Sequence, residues 1–232
     1  MSVPHGKVFV RSRIKRGIAN QSLPHVPQHV MWGGYGWITV NVTSQQSKKS
    51  VYRIAFSPMH VFDGTYLAPD GVTYACYEHY WQSLKHFPRR NHEVDKTWWR
   101  VATKPHRKLP KVDPKTCLYA SDETRFPDRA FGYIESRKRF YIPDYRAKLA
   151  GCRVAQSVLG DLRRRVQGGM HVLVEDFDSP RRADGYPEIE EITPALLRAK
   201  LHDTAFPFGH GYLVAAEILG IAPYEYTDAP EA

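Results

Sequence analysis

Val72-Thr73-Tyr74-Ala75-Cys76-Tyr77-Glu78-His79-Tyr80-Trp81-Gln82-Ser83-Leu84-Lys85 is the stretch on which the reading of this chain turns. It reads as one helix that begins near Thr73 and is stopped by Pro88. In that register Glu78, Gln82 and Lys85 share a stripe, at offsets of four and seven residues. Tyr77, Tyr80, Trp81 and Leu84 crowd the adjoining faces. A carboxylate, an amide and an ammonium among large rings suit neither an ordinary surface helix nor an ordinary core. They suit the wall of a pocket whose ligand carries hydroxyls or phosphates and a flat ring. The plainer alternative is an exposed Glu-Lys helix face.

Working outward, Trp37 to Thr43 alternates and is rich in β-branched residues, which predicts a strand after the glycines Gly33, Gly34 and Gly36. Val51 to Phe56 reads as a second extended piece, ended by Ser57-Pro58. Asp63-Gly64 and Pro69-Asp70-Gly71 are turn signals around the short segment Thr65 to Leu67. Past the helix, 88–115 holds four prolines and many charges and reads as an excursion over the surface. Asp128 to Arg139 and Asp144 to Val166 are helical by pattern, the latter broken near Gly151 or Gly160. Met170 to Phe177 is an apolar run expected to form a buried strand. Thr193-Pro194 is a helix start, and a last helix spans about Gly211 to Leu219. The sum is an α+β fold, a mostly helical single domain with a small β-sheet. Its expected parts are a basic arm over 1–30, the domain over 31–225 with a basic insertion at 88–127, and a tail over 226–232.

A chain of 232 residues that is 42% apolar can bury a substantial core. No apolar run is long enough to cross a bilayer and the N-terminus carries no signal-peptide hydrophobic region, so the expected location is cytoplasmic. Three scattered cysteines suggest neither a disulfide framework nor a metal site. No HExxH motif is present, and no metal is expected. Dinucleotide, P-loop and GxSxG motifs are also absent, and no cofactor is expected.

The net charge of +9 is unevenly spread. Nine Lys or Arg residues lie between Lys85 and Lys111, with Trp98 and Trp99 among them, against only Glu93 and Asp95. Arg89, Arg90, Arg100, Arg107 and Lys108 are the candidates for a phosphate or nucleic-acid patch. A solvated basic face that only confers solubility is the competing reading.

Three groups of residues can carry chemistry. Glu78, set among Tyr74, Tyr77 and Trp81, is expected to be partly desolvated and suited to proton transfer near neutral pH. Gly209-His210-Gly211, at the mouth of the last helix, can present backbone N–H groups to an anion, or is simply a tight turn that contains a histidine. Glu175, Asp176 and Asp178 end the 170–177 strand, and Asp176 is the first choice for a second carboxylate. Asp178-Ser179-Pro180 is equally an ordinary turn opening.

Phe56-Ser57-Pro58, then Val61-Phe62-Asp63-Gly64, then Tyr74 and Tyr77-Glu78-His79-Tyr80-Trp81-Gln82-Ser83-Leu84-Lys85 resemble the opening half of the NADAR (YbiA-like) family, named for NAD and ADP-ribose. The likeness covers about residues 54–87. It implies that Glu78 is an active-site residue and that Phe56, Gln82 and Lys85 line the pocket, and Ser57, Tyr74 and Trp81 are further substrate-binding candidates beside them. It further implies a mostly helical α+β domain that cleaves N-glycosidic bonds in riboflavin-pathway intermediates or in ADP-ribosylated guanine. Phe208-Gly209-His210-Gly211 is a loose counterpart of that family's C-terminal glycine-rich turn. The expected function is thus an N-glycosidase acting on a nucleotide-like small molecule or on ADP-ribosylated nucleic acid, without a membrane partner. The alternatives are a non-catalytic reader of ADP-ribose or nucleic acid using the 85–111 patch, and a structural protein that has borrowed an enzyme fold.

Overall fold

The computed structural model describes residues 5–12, 36–60, 65–179 and 188–221. The element order is β1 (Val8–Ser12), β2 (Trp37–Asn41), α1 (Val51–Phe56), β3 (Tyr66–Leu67), β4 (Thr73–Tyr74), α2 (Tyr77–Ser83), β5 (Lys85–His86) and α3 (His92–Val101). After them come β6 (Tyr119–Ala120), α4 (Tyr133–Ser136), α5 (Ile142–Gly151), α6 (Arg153–Gln167), β7 (His171–Asp176), β8 (Ile189–Glu191), α7 (Pro194–His202) and α8 (His210–Leu219). The architecture is α+β, mostly helical with a small mixed sheet, as the sequence pattern predicts. It divides into two compact units, one formed by residues 1–57 with 152–232 and the other by 58–151.

The first unit is built on a four-stranded sheet ordered β2-β7-β1-β8. β7 runs parallel to both β1 and β2, and β8 closes the other edge antiparallel to β1. Val172, Leu173 and Val174 are all buried, as are Val8, Phe9 and Val10. Unbroken apolar runs of this kind belong to interior strands covered on both faces. β1 therefore corrects the expected N-terminal arm: residues 8–12 are an interior strand, because three consecutive apolar side chains bury better in the sheet than in water. Residues 13–30 and 226–232 lie outside the described residues.

α6 presents Ala155, Leu159, Leu162 and Val166 to the core at helical spacing and is closed by Gly168. The break expected near Gly151 or Gly160 falls at Gly151-Cys152, and Gly160 continues the helix. Val51–Phe56 is a helix, not the extended piece expected. It packs on α6 and buries Ala55 and Phe56, and that tertiary packing overrides a weak strand propensity. α7 starts where Thr193-Pro194 predicts, with Thr193 Oγ1 accepting the Leu196 N–H at 3.1 Å.

The second unit holds two short ribbons, β3–β4 and β5–β6, with α2 to α5. Gly71 turns the first ribbon with φ of 77°, a conformation glycine adopts without strain. The 88–115 segment is not merely a surface excursion, since it contains α3. Asn91 Oδ1 accepts the Val94 N–H at 3.2 Å, and Glu93 and Asp95 sit in the first turn. A cap followed by acids is a helix-start signal that the charge density of the region obscured. Trp99, Asp95 and Lys96 are buried along the same helix.

At the core of this unit Tyr80 is a hub. Its hydroxyl lies 3.0 Å from Asp144 Oδ2 and 3.3 Å from Asp122 Oδ2. Arg125 bridges both acids, with Nε to Asp122 at 2.7 Å and Nη1 to Asp144 at 2.7 Å. Burial raises the Asp144 carboxyl above its ordinary range, opposed by the Arg125 guanidinium.

Candidate functional site

The helix that carries Glu78 is shorter than its sequence suggests. It starts at Tyr77, because Thr73–Tyr74 is a strand that pairs with β3, and Cys76 is its N-cap in an extended conformation. It ends at Ser83, because Lys85–His86 pairs with Tyr119–Ala120. Glu78 and Gln82 do share a face. Gln82 Nε2 donates to Glu78 Oε1 at 2.8 Å, and the Glu78 N–H donates to Pro58 O at 2.9 Å. Lys85 is off that stripe, since strand pairing takes its backbone out of the helix. Its ammonium instead lies 4.8 Å from the centre of the Trp81 ring.

Glu78 is half-buried, whereas Trp81, Gln82 and Tyr74 are buried. Tyr74 belongs to a separate polar chain: its hydroxyl donates to Asp70 Oδ2 at 2.9 Å and receives Ser83 Oγ at 3.2 Å. Burial pushes the Tyr74 hydroxyl up to about 12. The wall opposite Trp81 comes from a part of the chain to which the sequence reading gave no role. Tyr141, in the π-helical turn Arg137–Tyr141, lies 5.1 Å from Trp81 between ring centres. Tyr141 and Tyr145 are near-parallel at 6.2 Å, and the Lys148 ammonium is 5.4 Å from the Tyr145 ring centre. Residues 141, 145 and 148 repeat the offsets of four and seven read at 78, 82 and 85, so this second stripe was visible in principle. Lys148 and Glu78 both act on the Cys76 thiol, which burial raises to about 12. A carboxylate held by an amide, two aromatic rings and a buried ammonium thus gather within the second unit.

The remaining candidates for catalysis and substrate binding belong to the first unit. Phe56 and its neighbour Ser57, at the end of α1, are fully buried. Asp176, Gly209, His210 and Gly211 do come together, in a role different from the one expected. Asp176 Oδ2 accepts the Gly211 N–H at 2.8 Å and lies 3.2 Å from His210 Nδ1, while its Oδ1 accepts the Phe177 N–H at 2.7 Å. His210 Nε2 sits 3.0 Å from Val42 O, so the ring ties the ends of β2 and β7 to α8. A Cβ on Gly209 would stand 2.5 Å from Asp178 Cβ, and one on Gly211 would stand 2.6 Å from Asp176 Cβ. The glycines are there for close approach, and the anion at the mouth of α8 is the chain's own Asp176. Asp176 is 2% exposed with both oxygens engaged, which makes it a structural cap in place of the expected second catalytic carboxylate. By the same contacts Gly209, His210 and Gly211 are a joint of the fold, not a substrate-binding turn.

The basic patch also sorts by contact. Arg90 is clamped on Asp95 through Nε at 2.8 Å and through a second bond from Nη2. That clamp spends Arg90 on the fold, and Arg100 is half-buried on α3. Arg89, Arg107 and Lys108 are exposed. Among the described residues no three His, Cys, Asp or Glu side chains gather as metal ligands, and no helix is long and apolar enough to cross a membrane.

No protein-family model matches this chain, and it matches no curated protein and no solved structure. Its likeness to the NADAR pattern rests on the residues quoted above alone.

Proposed function

We propose that this chain is a cytoplasmic N-glycosidase of the NADAR type. It hydrolyses the bond between ribose and base in a nucleotide-like or ADP-ribosyl substrate, with Glu78 as its acid and base. One observation carries the reading: Glu78 is half-buried with its carboxylate held by Gln82, beside an aromatic wall and a buried lysine. In the forward reaction Glu78 gives a proton to the leaving base nitrogen as the C1′–N bond breaks. The resulting carboxylate takes a proton from the water that adds to C1′. The products are the free base and a ribose with a hydroxyl at C1′, and Glu78 regains its starting state. Gln82 orients the carboxylate, Trp81 and Tyr141 stack the base, and Lys148 and Lys85 attract substrate phosphate.

The test is release of free base from nucleotides and ADP-ribosyl compounds, followed by chromatography. Wild-type protein is expected to release it. Glu78→Gln is expected to lose at least ~100-fold in turnover while melting at an unchanged temperature. Base release at an undiminished rate by Glu78→Gln, or none from the wild type on any of these substrates, overturns the reading.

A further inference from the structure

A column of three rings stands on the β5–β6 ribbon and uses none of the residues given a role at Glu78. His86 of β5 is the register partner of Tyr119 of β6, and their rings stack at 4.4 Å with planes 25° apart. His92, the first residue of α3, stacks on His86 at 3.5 Å and 13°. A ring with two near-parallel neighbours so close must hold them on opposite faces, so the order is His92, His86, Tyr119. A 2.7 Å hydrogen bond between His86 Nε2 and Ser121 Oγ fixes the middle ring. Burial lowers both histidines, His86 to about 4, so the column is neutral at pH 7 and acts as stacked π surface, not as a pair of cations.

Tyr119 ends the column and is 37% exposed, beside Leu118 at 58%. The chain leading into it is basic and exposed, with Lys104, Arg107, Lys108, Lys111 and Lys115 against Asp113. Asp113 is itself exposed, and its Oδ1 accepts the Lys115 N–H at 3.0 Å, so it shapes the turn Pro114–Thr116 that carries Lys115. Glu93, Glu123 and Lys96 are the charged groups that act on His86 in the middle of the column.

We infer that Tyr119 is a stacking platform for an unpaired base of single-stranded nucleic acid, whose phosphates are held by Lys111, Lys115 and the cations of 104–108. A polyanion alone needs only the cations. A pre-stacked, partly exposed ring that follows them along the chain adds a surface that an unpaired base can extend, and every base has a π face to offer. In a duplex the bases already stack on each other, so the ring gives a duplex nothing. This site is independent of the Glu78 reading, and either stands if the other fails.

Fluorescence anisotropy with a labelled single-stranded oligonucleotide of about 12 nucleotides, as DNA and as RNA, and with the matching duplex, tests it. Binding is expected to favour the single strand, in DNA, RNA or both. Tyr119→Ala should weaken that binding about ten-fold, and Tyr119→Phe, which keeps the ring and controls for folding, should retain it. Replacing Lys111 and Lys115 together by Ala should flatten the slope of log affinity against log salt by about 1.4. Equal affinity for duplex and single strand, undiminished binding by Tyr119→Ala, or no single-strand binding at low salt overturns the inference.

Discussion

The Asp176 carboxylate, at the end of β7, accepts the N–H of Gly211 in the first turn of α8 at 2.8 Å, with no room between them for a methyl group. Strand and helix are locked through one acid and one glycine. Gly211→Ala would place a Cβ 2.6 Å from Asp176 Cβ, and overpacking of this kind costs about 1–3 kcal/mol. Gly160→Ala is the contrast. It sits inside α6 with only the far end of Arg164 within 4 Å, at 3.6 Å, so the same change there should stabilise by about 0.5–1 kcal/mol. Urea titrations of the two variants check both signs.

Arg125 joins two buried acids in the second unit. Arg125→Met leaves Asp122 and Asp144, which are 1% and 4% exposed, without their cation. The expected cost is about 3–5 kcal/mol. Removing both acids' charge as well, in the variant with Asp122→Asn and Asp144→Asn added, should recover much of it. If Arg125→Met melts like the wild type, the bridge contributes nothing to stability.

His79 is fully buried and its Nε2 accepts the His106 N–H at 2.9 Å, which pins the start of the basic 104–111 segment. Burial lowers His79 to about 4, and the nearby His106 adds to the effect. A histidine lowered by folding contributes stability that is complete above its unfolded pKa of about 6.5. That stability is lost as the pH falls from there toward 4. His86 acts in the same direction. Thermal melts at pH 7 and pH 5 should show a drop in melting temperature for the wild type. In His79→Gln, whose amide oxygen can still accept the His106 N–H, the drop should be smaller. Equal drops would mean that His79 does not titrate in that window.

Lys148 is the cation the structure adds to the Glu78 site. Lys148→Ala is expected to weaken substrate phosphate binding, raising KM about ten-fold with kcat less affected. Steady-state kinetics on a substrate with its phosphate and on the dephosphorylated nucleoside separate this from a general loss of activity. Only the phosphorylated substrate should respond.

The elements that declared themselves in the sequence are those whose local signals agree. The apolar run 172–174 became an interior strand, and Thr193-Pro194 opened a helix. In each case propensity, patterning and capping pointed the same way. Val51–Phe56 went astray because a six-residue segment carries too little periodicity to outweigh its packing on α6. α3 was masked by prolines and charges on both sides of a good Asn91 cap.

The sequence by itself determined which residue types lie within a turn of one another. It placed Glu78 and Gln82 on one helical face, because a spacing of four needs only a helix. What lies farther apart along the chain was decided by tertiary structure. Pairing of β5 with β6 pulled Lys85 off the helix, and Tyr141, Tyr145 and Lys148 came in from more than fifty residues away. Likewise Asp176 became a cap and not a free carboxylate only because α8 docks on the end of β7. Hydrogen bonds and ring contacts between distant segments depend on the whole arrangement of the chain, and no local pattern encodes them.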